Sequence, residues 1–552
     1  MKILRLELTE TYKGLENQIF DFRDSDSDIV SLVGLNGSGK SNFLELTAEI
    51  FCYLERDQRY DFETRQPLSF SFSVTYKIID HRRHTQTYHI QYVRSANHLF
   101  YSHLKDGTFI PTSSSDVVLP SAIIGYSSGM NENLQRPFLK NIVQHYDILM
   151  KKQKVLKQFK TAINQADTFE LRGEISIDYR ERFPTVFGEN RDYTDAPMGT
   201  ILDYDSSPLV VASLALLPHA DIQKFCKEIG YSDLKKISFR YNLRGKPYTI
   251  DELRDITSLL ETVGHGQYKA IGAPLSNDEI EKIAPDVTLE LQDLAYLEGD
   301  IHINLFNDSL RSSLCEIYYH DPATFFRKLH KIQLLEVKNW QAKDRNSLRR
   351  DDFIGNVRKP TRLRMPLEVS DLVFINNHGR EVSYFDLSDG ETQLIQILAA
   401  LRVFDSRSSL FLLDEPDTHL NPHWRTEFHT HIKNVRDNNA EDSKASQLFI
   451  STHSPFILSS LDRSSVFHFK NVDGVLSVAP AEDQTFGSSF EYLSKRLFKM
   501  ESLIAKTAID KINAILQEKS HTEAREWIKD HVGPSLEKTF LLKQLEEDAP
   551  PN

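Results

Sequence analysis

The sequence predicts an α/β fold that is assembled from both ends of the chain, with a mainly helical lobe inserted between them. Three observations favour this arrangement. Short apolar runs typical of buried strands occur near the N-terminus, at 29–33, and near the C-terminus, at 410–413 and 447–451. A glycine-rich loop and a helical pattern follow the first run. The middle of the chain, 150–365, carries amphipathic helical patterns punctuated by prolines.

Composition and charge narrow the class of protein. The 552 residues are 40% hydrophobic and 26% charged, as in a soluble globular chain. Because the net charge is −13, contact with nucleic acid would need a local basic patch. The widely spaced cysteines Cys52, Cys226 and Cys315 argue against disulfide or zinc frameworks and favour a cytoplasmic location. No apolar run reaches the length of a membrane span, and the N-terminus resembles a strand rather than a signal peptide.

The order of predicted elements divides the chain into four parts. Strands are expected within 1–33 and at 68–79, 87–94, 97–111 and 117–126, with Asp106-Gly107 as a hairpin turn. Helices are expected near 209–229, 251–263, 276–283 and 322–340, and strands return at 367–375 and 382–385. The predicted parts are 1–150 and 366–480, the two halves of the main α/β domain, with the lobe at 151–365 and a helical tail at 481–552.

Residues 34–41, Gly-Leu-Asn-Gly-Ser-Gly-Lys-Ser, fit the P-loop pattern. Such a loop turns successive backbone N–H groups toward a phosphate, which needs glycines that accept positive φ. The following helix directs its positive dipole end at the same phosphate. The candidate nucleotide-binding residues of this segment are Gly34, Asn36, Gly37, Ser38, Gly39, Lys40, Ser41 and Asn42. The Ser41 hydroxyl is also a candidate Mg²⁺ ligand.

A second motif, which is acidic, completes the candidate site. Leu410–Leu413 is an apolar strand that ends in Asp414 and Glu415. A carboxylate at the end of such a strand can join the coordination of Mg²⁺, and we assign this role to Asp414. Its neighbour Glu415 is the candidate catalytic residue that orients or deprotonates the attacking water.

Four further features lie outside the P-loop and the acidic motif. Leu387-Ser388-Asp389-Gly390-Glu391 precedes a helix, and it resembles the signature motif of ABC-type ATPases, which implies that Ser388 and Gly390 bind the nucleotide of a partner subunit. His453 follows the strand 447–451 and resembles the switch histidine of that superfamily. Residues 417–422 occupy the position of the D-loop. Gln135 is the nearest candidate for the Q-loop glutamine, although an ordinary surface glutamine explains it equally well.

The P-loop, the signature motif, the acidic motif at 414–415 and the switch histidine follow one another in the order found in ABC-type ATPases. The gap of 346 residues between Ser41 and Ser388 resembles that of the SMC-like branch. Glu391, where transporters usually have glutamine, agrees with that branch, which includes chromosome-maintenance, recombination-repair and OLD-type ATPases. The chain departs from it by lacking long coiled-coil arms, and by having Asp389 and Asn421 where glycine and aspartate are usual. The resemblance implies an ABC-type head that binds ATP and Mg²⁺, hydrolyses ATP and pairs head-to-head as a homodimer.

Within this branch the chain resembles the PtuA-like ATPase of Septu and retron anti-phage systems. Residues 125–132, 387–393 and 414–424 carry this narrower resemblance. It implies a separate HNH-type nuclease as partner and, in retron versions, a reverse transcriptase with its RNA–DNA product. No clustered acidic motif or HNH pattern is evident in the sequence itself, so an intrinsic nuclease is not expected.

Several alternatives stay open at this stage. The chain could be an SMC-like repair or chromosome-maintenance clamp that binds DNA directly; the long insertion argues against a transporter motor. The stretch 343–364 has eight basic and three acidic residues, and it is either a nucleic-acid contact or a solvated linker. The apolar stripe at 504–516 is either a partner surface or ordinary packing.

Overall fold

The computed structural model describes most of the chain. The described residues are 1–25, 27–59, 67–80, 82–128, 133–187, 196–244, 250–263, 268–274, 276, 297–355, 365–405, 408–437, 446–472, 475–500, 502 and 504–547.

The strands of the described residues lie mostly in three sheets. Their bounds in chain order are β1 (Lys2–Thr9), β2 (Thr11–Tyr12), β3 (Leu15–Glu16), β4 (Ile19–Asp21), β5 (Ile29–Val33), β6 (Ser71–Ile79), β7 (Thr85–Val93), β8 (His98–Lys105), β9 (Thr108–Pro111), β10 (Ile123–Ser127), β11 (Gly199–Leu202), β12 (Tyr231–Asn242), β13 (Tyr268–Ala270), β14 (Glu298–Asn304), β15 (Leu367–Asn376), β16 (Glu381–Ser383), β17 (Leu410–Asp414), β18 (Gln447–Ser451), β19 (Val466–Val472) and β20 (Val475–Pro480).

The helices range from one turn to 31 residues. Their bounds are α1 (Lys40–Arg59), α2 (Gln135–Gln165), α3 (Phe169–Arg182), α4 (Pro184–Phe187), α5 (Ser207–Ser213), α6 (His219–Glu228), α7 (Ile250–Val263), α8 (Asp308–Ile317), α9 (Pro322–Gln333), α10 (Ala342–Leu348), α11 (Asp389–Phe404), α12 (Pro422–Asp437), α13 (Pro455–Leu458), α14 (Phe490–Phe498), α15 (Lys506–Glu518), α16 (His521–His531) and α17 (Leu536–Glu547).

The central sheet combines strands from both ends of the chain, and the fold is mixed α/β as predicted. Among the described residues it has seven strands in the order β11-β10-β17-β18-β5-β19-β20. The N-terminal strand β5 lies between β18 and β19 and is parallel to both. Every residue of β5, β17 and β18 is buried, which explains why their sequences are mostly apolar. Because parallel strands end at one edge, the segments after β5, β10, β17 and β18 meet there.

An aromatic cluster joins the N-terminal and C-terminal strands in the core. The Phe22 ring lies 5.1 Å from that of Phe449 and 4.8 Å from that of Phe467. Phe43 of α1 lies 5.4 Å from Phe449, and all four side chains are at most 2% exposed. Fully burying a phenylalanine is worth roughly 1.5–3 kcal/mol, so this cluster links chain segments more than 400 residues apart.

The predicted strands between 68 and 111 form an antiparallel sheet. Its order is β4-β1-β6-β7-β8-β9. The hairpin between β8 and β9 turns at Asp106 and Gly107, whose φ angles are 51° and 80°. Positive φ at both central residues matches the twist of the flanking strands, which explains why an Asp-Gly pair predicted this turn.

The inserted segment contains strands that the helical prediction missed. β12 pairs antiparallel with both β14 and β15, in the sheet β13-β14-β12-β15-β16. Helices do occur at or near three of the predicted positions, as α5–α6, α7 and α9. The helix predicted at 276–283 lies outside the described residues apart from 276. The longest apolar run, 209–217, lies in buried α5 and the 3₁₀ turn that follows it.

The chain divides into two compact units, Met1–Phe486 and Gly487–Asn552. The first contains the three sheets and the inserted segment. The second contains α14 to α17, where a helical tail is predicted. Among the described residues, no helix is both long and apolar enough to cross a bilayer.

Candidate nucleotide-binding site

The loop between β5 and α1 has the backbone that the glycine pattern predicts. Gly34, Gly37 and Gly39 have φ angles of 152°, 75° and 96°. A Cβ on Gly34 would lie 2.4 Å from the carbonyl oxygen of Phe469, so the close approach of β19 also requires glycine here. The loop is therefore a glycine-dependent turn at the N-terminus of a 20-residue helix, which is the arrangement that binds phosphate.

Lys40 is held inside this loop. Its ammonium group donates to the carbonyl oxygens of Gly34 and Leu35, at 3.0 and 3.2 Å, and the residue is 6% exposed. Burial lowers the pKa of Lys40, while Asp414 and Glu415 act in the opposite direction. A buried cation whose acceptors among the described residues are neutral carbonyls is well placed to bind an anionic ligand.

Ser41 and Asp414, which are 373 residues apart in sequence, are in direct contact. The Ser41 hydroxyl donates to Asp414 Oδ1 at 3.0 Å, and Ser451 donates to the same oxygen. Asp414 is the last residue of β17, and its register partner on β18 is Ser451. One carboxylate and two hydroxyls provide the hard oxygen ligands that Mg²⁺ prefers, so the residues present fit the predicted metal.

Glu415 and His453 extend the same edge of the sheet. Glu415 has a φ of 51°, and its backbone N–H donates to the Ser451 carbonyl at 3.0 Å. His453 Nε2 lies 3.6 Å from Glu415 Oε1. Burial and the nearby Lys40 lower the pKa of His453, against the opposing effect of the two carboxylates. The structure thus brings together four predicted site residues, Lys40, Asp414, Glu415 and His453. Their predicted roles all concern the same bound nucleotide and its Mg²⁺, so they need to lie this close together.

The signature segment forms the N-terminus of α11. Ser388 is the N-cap, and it forms a reciprocal capping box with Glu391. The Tyr231 hydroxyl of β12 also donates to Glu391, at 3.1 Å. A Cβ on Gly390 would lie 2.7 Å from the carbonyl oxygen of His419, so this helix start packs directly on the turn after β17.

The segment 417–422, at the predicted D-loop position, has polar contacts that the sequence did not predict. Thr452 donates to Asp417 at 3.0 Å, and the hydroxyls of Ser128 and Thr418 are 3.1 Å apart. Gln393 links α11 to this turn and to β10. Ser451 was missed although its strand register places it beside Asp414, and a register prediction would have identified it.

The remaining predicted site residues differ in their surroundings. Asn36 is exposed, and Ser38 is buried with a hydroxyl that lacks a hydrogen-bond partner among the described residues. Asn42 donates to the Lys13 carbonyl at 2.6 Å, which anchors the hairpin β2–β3 to α1. Gln135 is the first residue of α2. Nucleotide contacts of these residues stay predictions.

The described part of the basic stretch 343–364 is partly neutralised. Arg349 pairs with Asp147 at 2.6 Å, and Arg350 pairs with Asp352 at 2.8 Å. Residues 356–364, which carry the other half of the basic side chains, lie outside the described residues. Nucleic-acid binding by this stretch stays a prediction.

Comparisons with known proteins found similarity to one family model and to a retron protein. Residues 231–459 match the family model described as "AAA domain, putative AbiEii toxin, Type IV TA system". A stretch of 220 residues is 28% identical to the "Retron Vc95 probable ATPase" of Vibrio cholerae serotype O1 biovar El Tor. This match covers 35% of the chain and 41% of the relative, so it spans less than half of that protein.

Solved structures with similarity to the chain include an SMC head domain and a recombination mediator protein. The SMC head domain from Thermotoga maritima is 10% identical, with 88% of this chain and 100% of that chain covered and a TM-score of 0.32. The recombination mediator protein RecF with ATP is 13% identical, with 87% and 97% covered and a TM-score of 0.32.

Proposed function

We propose that this chain is an SMC/OLD-like P-loop ATPase. It hydrolyses ATP as the sensing or regulatory subunit of a bacterial anti-phage defence complex whose effector is a separate HNH-type nuclease. A retron setting, with a reverse transcriptase and its RNA–DNA hybrid as further partners, is part of this proposal. The similarity to a retron ATPase supports the defence role.

One observation carries the enzymatic part of the proposal. The Ser41 hydroxyl lies 3.0 Å from Asp414, although the two residues come from opposite ends of the chain. Lys40, which follows the loop glycines, lies in the same environment. This is the residue set that an ATP-hydrolysing site needs: a phosphate-binding loop, a lysine, and a hydroxyl–carboxylate pair for Mg²⁺.

Each side chain then has a defined role. The loop N–H groups and Lys40 bind the phosphates, and Ser41 and Asp414 would hold Mg²⁺, which when bound neutralises phosphate charge. Glu415 orients the water and accepts its proton as the water attacks the γ-phosphorus and ADP leaves with the bridging oxygen. His453, 3.6 Å from Glu415, contacts the γ-phosphate.

The signature segment is the basis for proposing a homodimer. Ser388 and Gly390 lie at a helix N-terminus, which binds anions. In the proposed homodimer this N-terminus contacts the γ-phosphate bound to the second subunit. ATP then holds two heads together and hydrolysis releases them, so the nucleotide state controls the partner nuclease.

Glu415→Gln tests this function. The amide keeps the size of the side chain but cannot accept the proton, so we expect ATP turnover to fall at least ~100-fold. The variant should retain ATP and accumulate as a dimer. Phosphate release and light scattering with and without ATP measure the two effects.

Glu427→Gln on α12 is the matched control, because Glu427 is a half-exposed glutamate on a helix outside the site. Its turnover should equal that of the wild type. An unchanged hydrolysis rate in Glu415→Gln contradicts the assignment of the site. Co-purification of the wild type with an HNH nuclease or a reverse transcriptase encoded by a neighbouring gene tests the defence role.

A lysine face on α2 favours a second candidate, an SMC-like repair or chromosome-maintenance clamp that binds DNA directly. Residues 148–166 contain five lysines and no acidic residue, and Lys154, Lys157 and Lys160 are exposed at intervals of three residues. Binding of duplex DNA by the isolated chain that weakens steeply with salt, and that Lys→Gln changes at these three positions weaken further, would support this candidate.

A further inference from the structure

We infer that Gln393 is a positioning residue that fixes the turn 417–421 to the signature helix, so that both form one surface toward the second subunit. This inference rests on the proposed ATP-dependent homodimer. It assigns a role to a side chain that lies in the stretch 387–393 but is not among the predicted site residues.

Both ends of the Gln393 amide are used. Gln393 is 3% exposed on α11. Its Nε2 donates to the Tyr126 hydroxyl of β10 at 2.8 Å, and its Oε1 accepts from the backbone N–H of His419 at 3.0 Å. A buried amide with satisfied donor and acceptor is costly to remove, because the partners then stay desolvated. Gln393 therefore joins three segments in a defined geometry.

Gly390 provides independent evidence for the same contact. It lies three residues before Gln393, and therefore on the same face of α11. The absence of a Cβ lets the helix approach the His419 carbonyl, to which a Cβ would be only 2.7 Å away. His419 is thus contacted from α11 at its N–H by Gln393 and at its carbonyl by the Gly390 backbone region.

The turn is also linked to the catalytic strands. Asp417 accepts from Thr452, the residue before His453, at 3.0 Å. Thr418 lies 3.1 Å from Ser128, which follows β10. A movement of His453 at the γ-phosphate would therefore displace the turn 417–421 through the Thr452–Asp417 hydrogen bond. The Gln393–His419 hydrogen bond would then displace α11, whose N-terminus is the signature segment.

Loss of the Gln393 contacts should affect the ATP bound to the other subunit more than the ATP bound to the same subunit. Ser388 and Gly390 act on the ATP of the other subunit in the proposed dimer, whereas Lys40 and Ser41 bind ATP within their own subunit. Loosening the turn from α11 should therefore lower dimer-dependent turnover while leaving ATP affinity nearly unchanged.

The test compares Gln393→Met with Gln396→Met. Methionine has a similar length but cannot form either hydrogen bond. Gln396 lies on the same helix and donates to the hydroxyl of buried Tyr384 at 2.9 Å, so its variant also removes a glutamine–tyrosine bond. The control differs in one respect, because the described partner of Gln396 is not in the turn 417–421.

We expect Gln393→Met to lower the maximal turnover about tenfold. Binding of a fluorescent ATP analogue should change by less than about twofold. Gln396→Met should keep wild-type turnover, although both variants should melt at lower temperature. Gln393→Glu, which keeps an acceptor for the His419 N–H, should recover part of the lost turnover.

Wild-type turnover in Gln393→Met, or an equal loss in Gln396→Met, overturns the inference. If Gln393→Met does not fold, Gln393→Asn replaces it, because its side chain is one carbon too short to reach both partners. Failure of the dimer proposal is separate: wild-type turnover would then be independent of protein concentration, and Glu415→Gln would stay monomeric with ATP.

Discussion

At the scale of single residues, burial has a larger effect on the pKa of Asp405 than its ion pair with Arg436 has. This carboxylate is fully buried after α11, and Arg436 Nε lies 3.1 Å away. Burial raises the pKa of Asp405 from 3.8 to about 6, although Arg436 acts to lower it. Between these two pH values the folded chain holds a proton that the unfolded chain has released. The free energy of unfolding therefore falls as pH rises through this window.

Asp405→Asn should remove this dependence. The wild type loses up to about 3 kcal/mol relative to the variant between pH 4 and pH 7. Arg436 keeps the Ser446 carbonyl at 3.1 Å and Asp28 at 3.7 Å, so the variant should fold. Urea unfolding at several pH values measures the difference. The control Asp437→Asn, at an exposed position, should follow the wild type, and parallel profiles for wild type and Asp405→Asn would contradict this prediction.

Residues with local sequence signals were predictable, and residues defined by a distant partner were not. The glycines and Lys40 carry their conformational and charge requirements in one octapeptide. Asp414 and Glu415 carry theirs at the end of an apolar run. Gln393 lies in the predicted stretch 387–393, but its role was not predictable, because this role depends on a tyrosine 267 residues earlier and a backbone N–H 26 residues later.

At the scale of elements, a buried charge network joins α1 to α2. Lys140 of α2 donates to Glu49 of α1 at 2.9 Å, and Arg56 pairs with the same carboxylate at 3.3 Å. Arg56 also pairs with Asp351 at 2.9 Å. Burial lowers the pKa of Lys140, and Glu49 acts to raise it. The helix that follows the P-loop is thereby tied to the helix after β10 and to the inserted segment.

Removing both partners of the Glu49–Lys140 pair should cost less than the sum of the two single removals. We expect Lys140→Met to destabilise the chain by about 3–5 kcal/mol, because it leaves the Glu49 carboxylate buried with less compensation. The double variant Glu49→Gln/Lys140→Met should cost less than the sum of the single variants, by about 1–3 kcal/mol.

Denaturant unfolding of the four chains measures this coupling. Lys224→Met serves as control, since it removes an exposed pair with Asp221 and should change stability by less than about 1 kcal/mol. Additive effects of the two buried substitutions would contradict the prediction.

Element types were more predictable than their partners. The alternating pattern of β15 predicted a strand, but its period does not say which strand it pairs with. β15 pairs with β12, which lies in the insertion and was read as part of a helical lobe. The bulges along this pair interrupt the strict alternation that would have marked β12 as a strand.

At the scale of the whole molecule, the central sheet depends on distant parts of the chain. β5 needs β18 and β19 on its two sides, and β10 needs β17. The order of the motifs along the sequence predicted that these distant segments meet. The order of the strands within the sheet was not predictable from the sequence and is seen only in the structure. The sheet should therefore form only when both ends of the first unit, Met1–Phe486, are present.

Two truncations separate the contributions of the C-terminal segments. A chain of residues 1–486 retains the central sheet and every candidate site residue, so we expect it to fold and bind ATP. A chain of residues 1–461 lacks β19 and β20, and loses the Phe467 and Phe469 rings that contact Phe22 and Phe20. With the edge of β5 unpaired and this core exposed, we expect it to aggregate.

Thermal unfolding with and without ATP distinguishes the two chains. At 100 times its dissociation constant, ATP should stabilise residues 1–486 by about 2.7 kcal/mol, as it should the full chain. Residues 1–461 should show no cooperative transition with or without ATP. If residues 1–486 also lose ATP binding, the second unit contributes to the site, and the division at 486 does not mark a boundary of the nucleotide-binding unit.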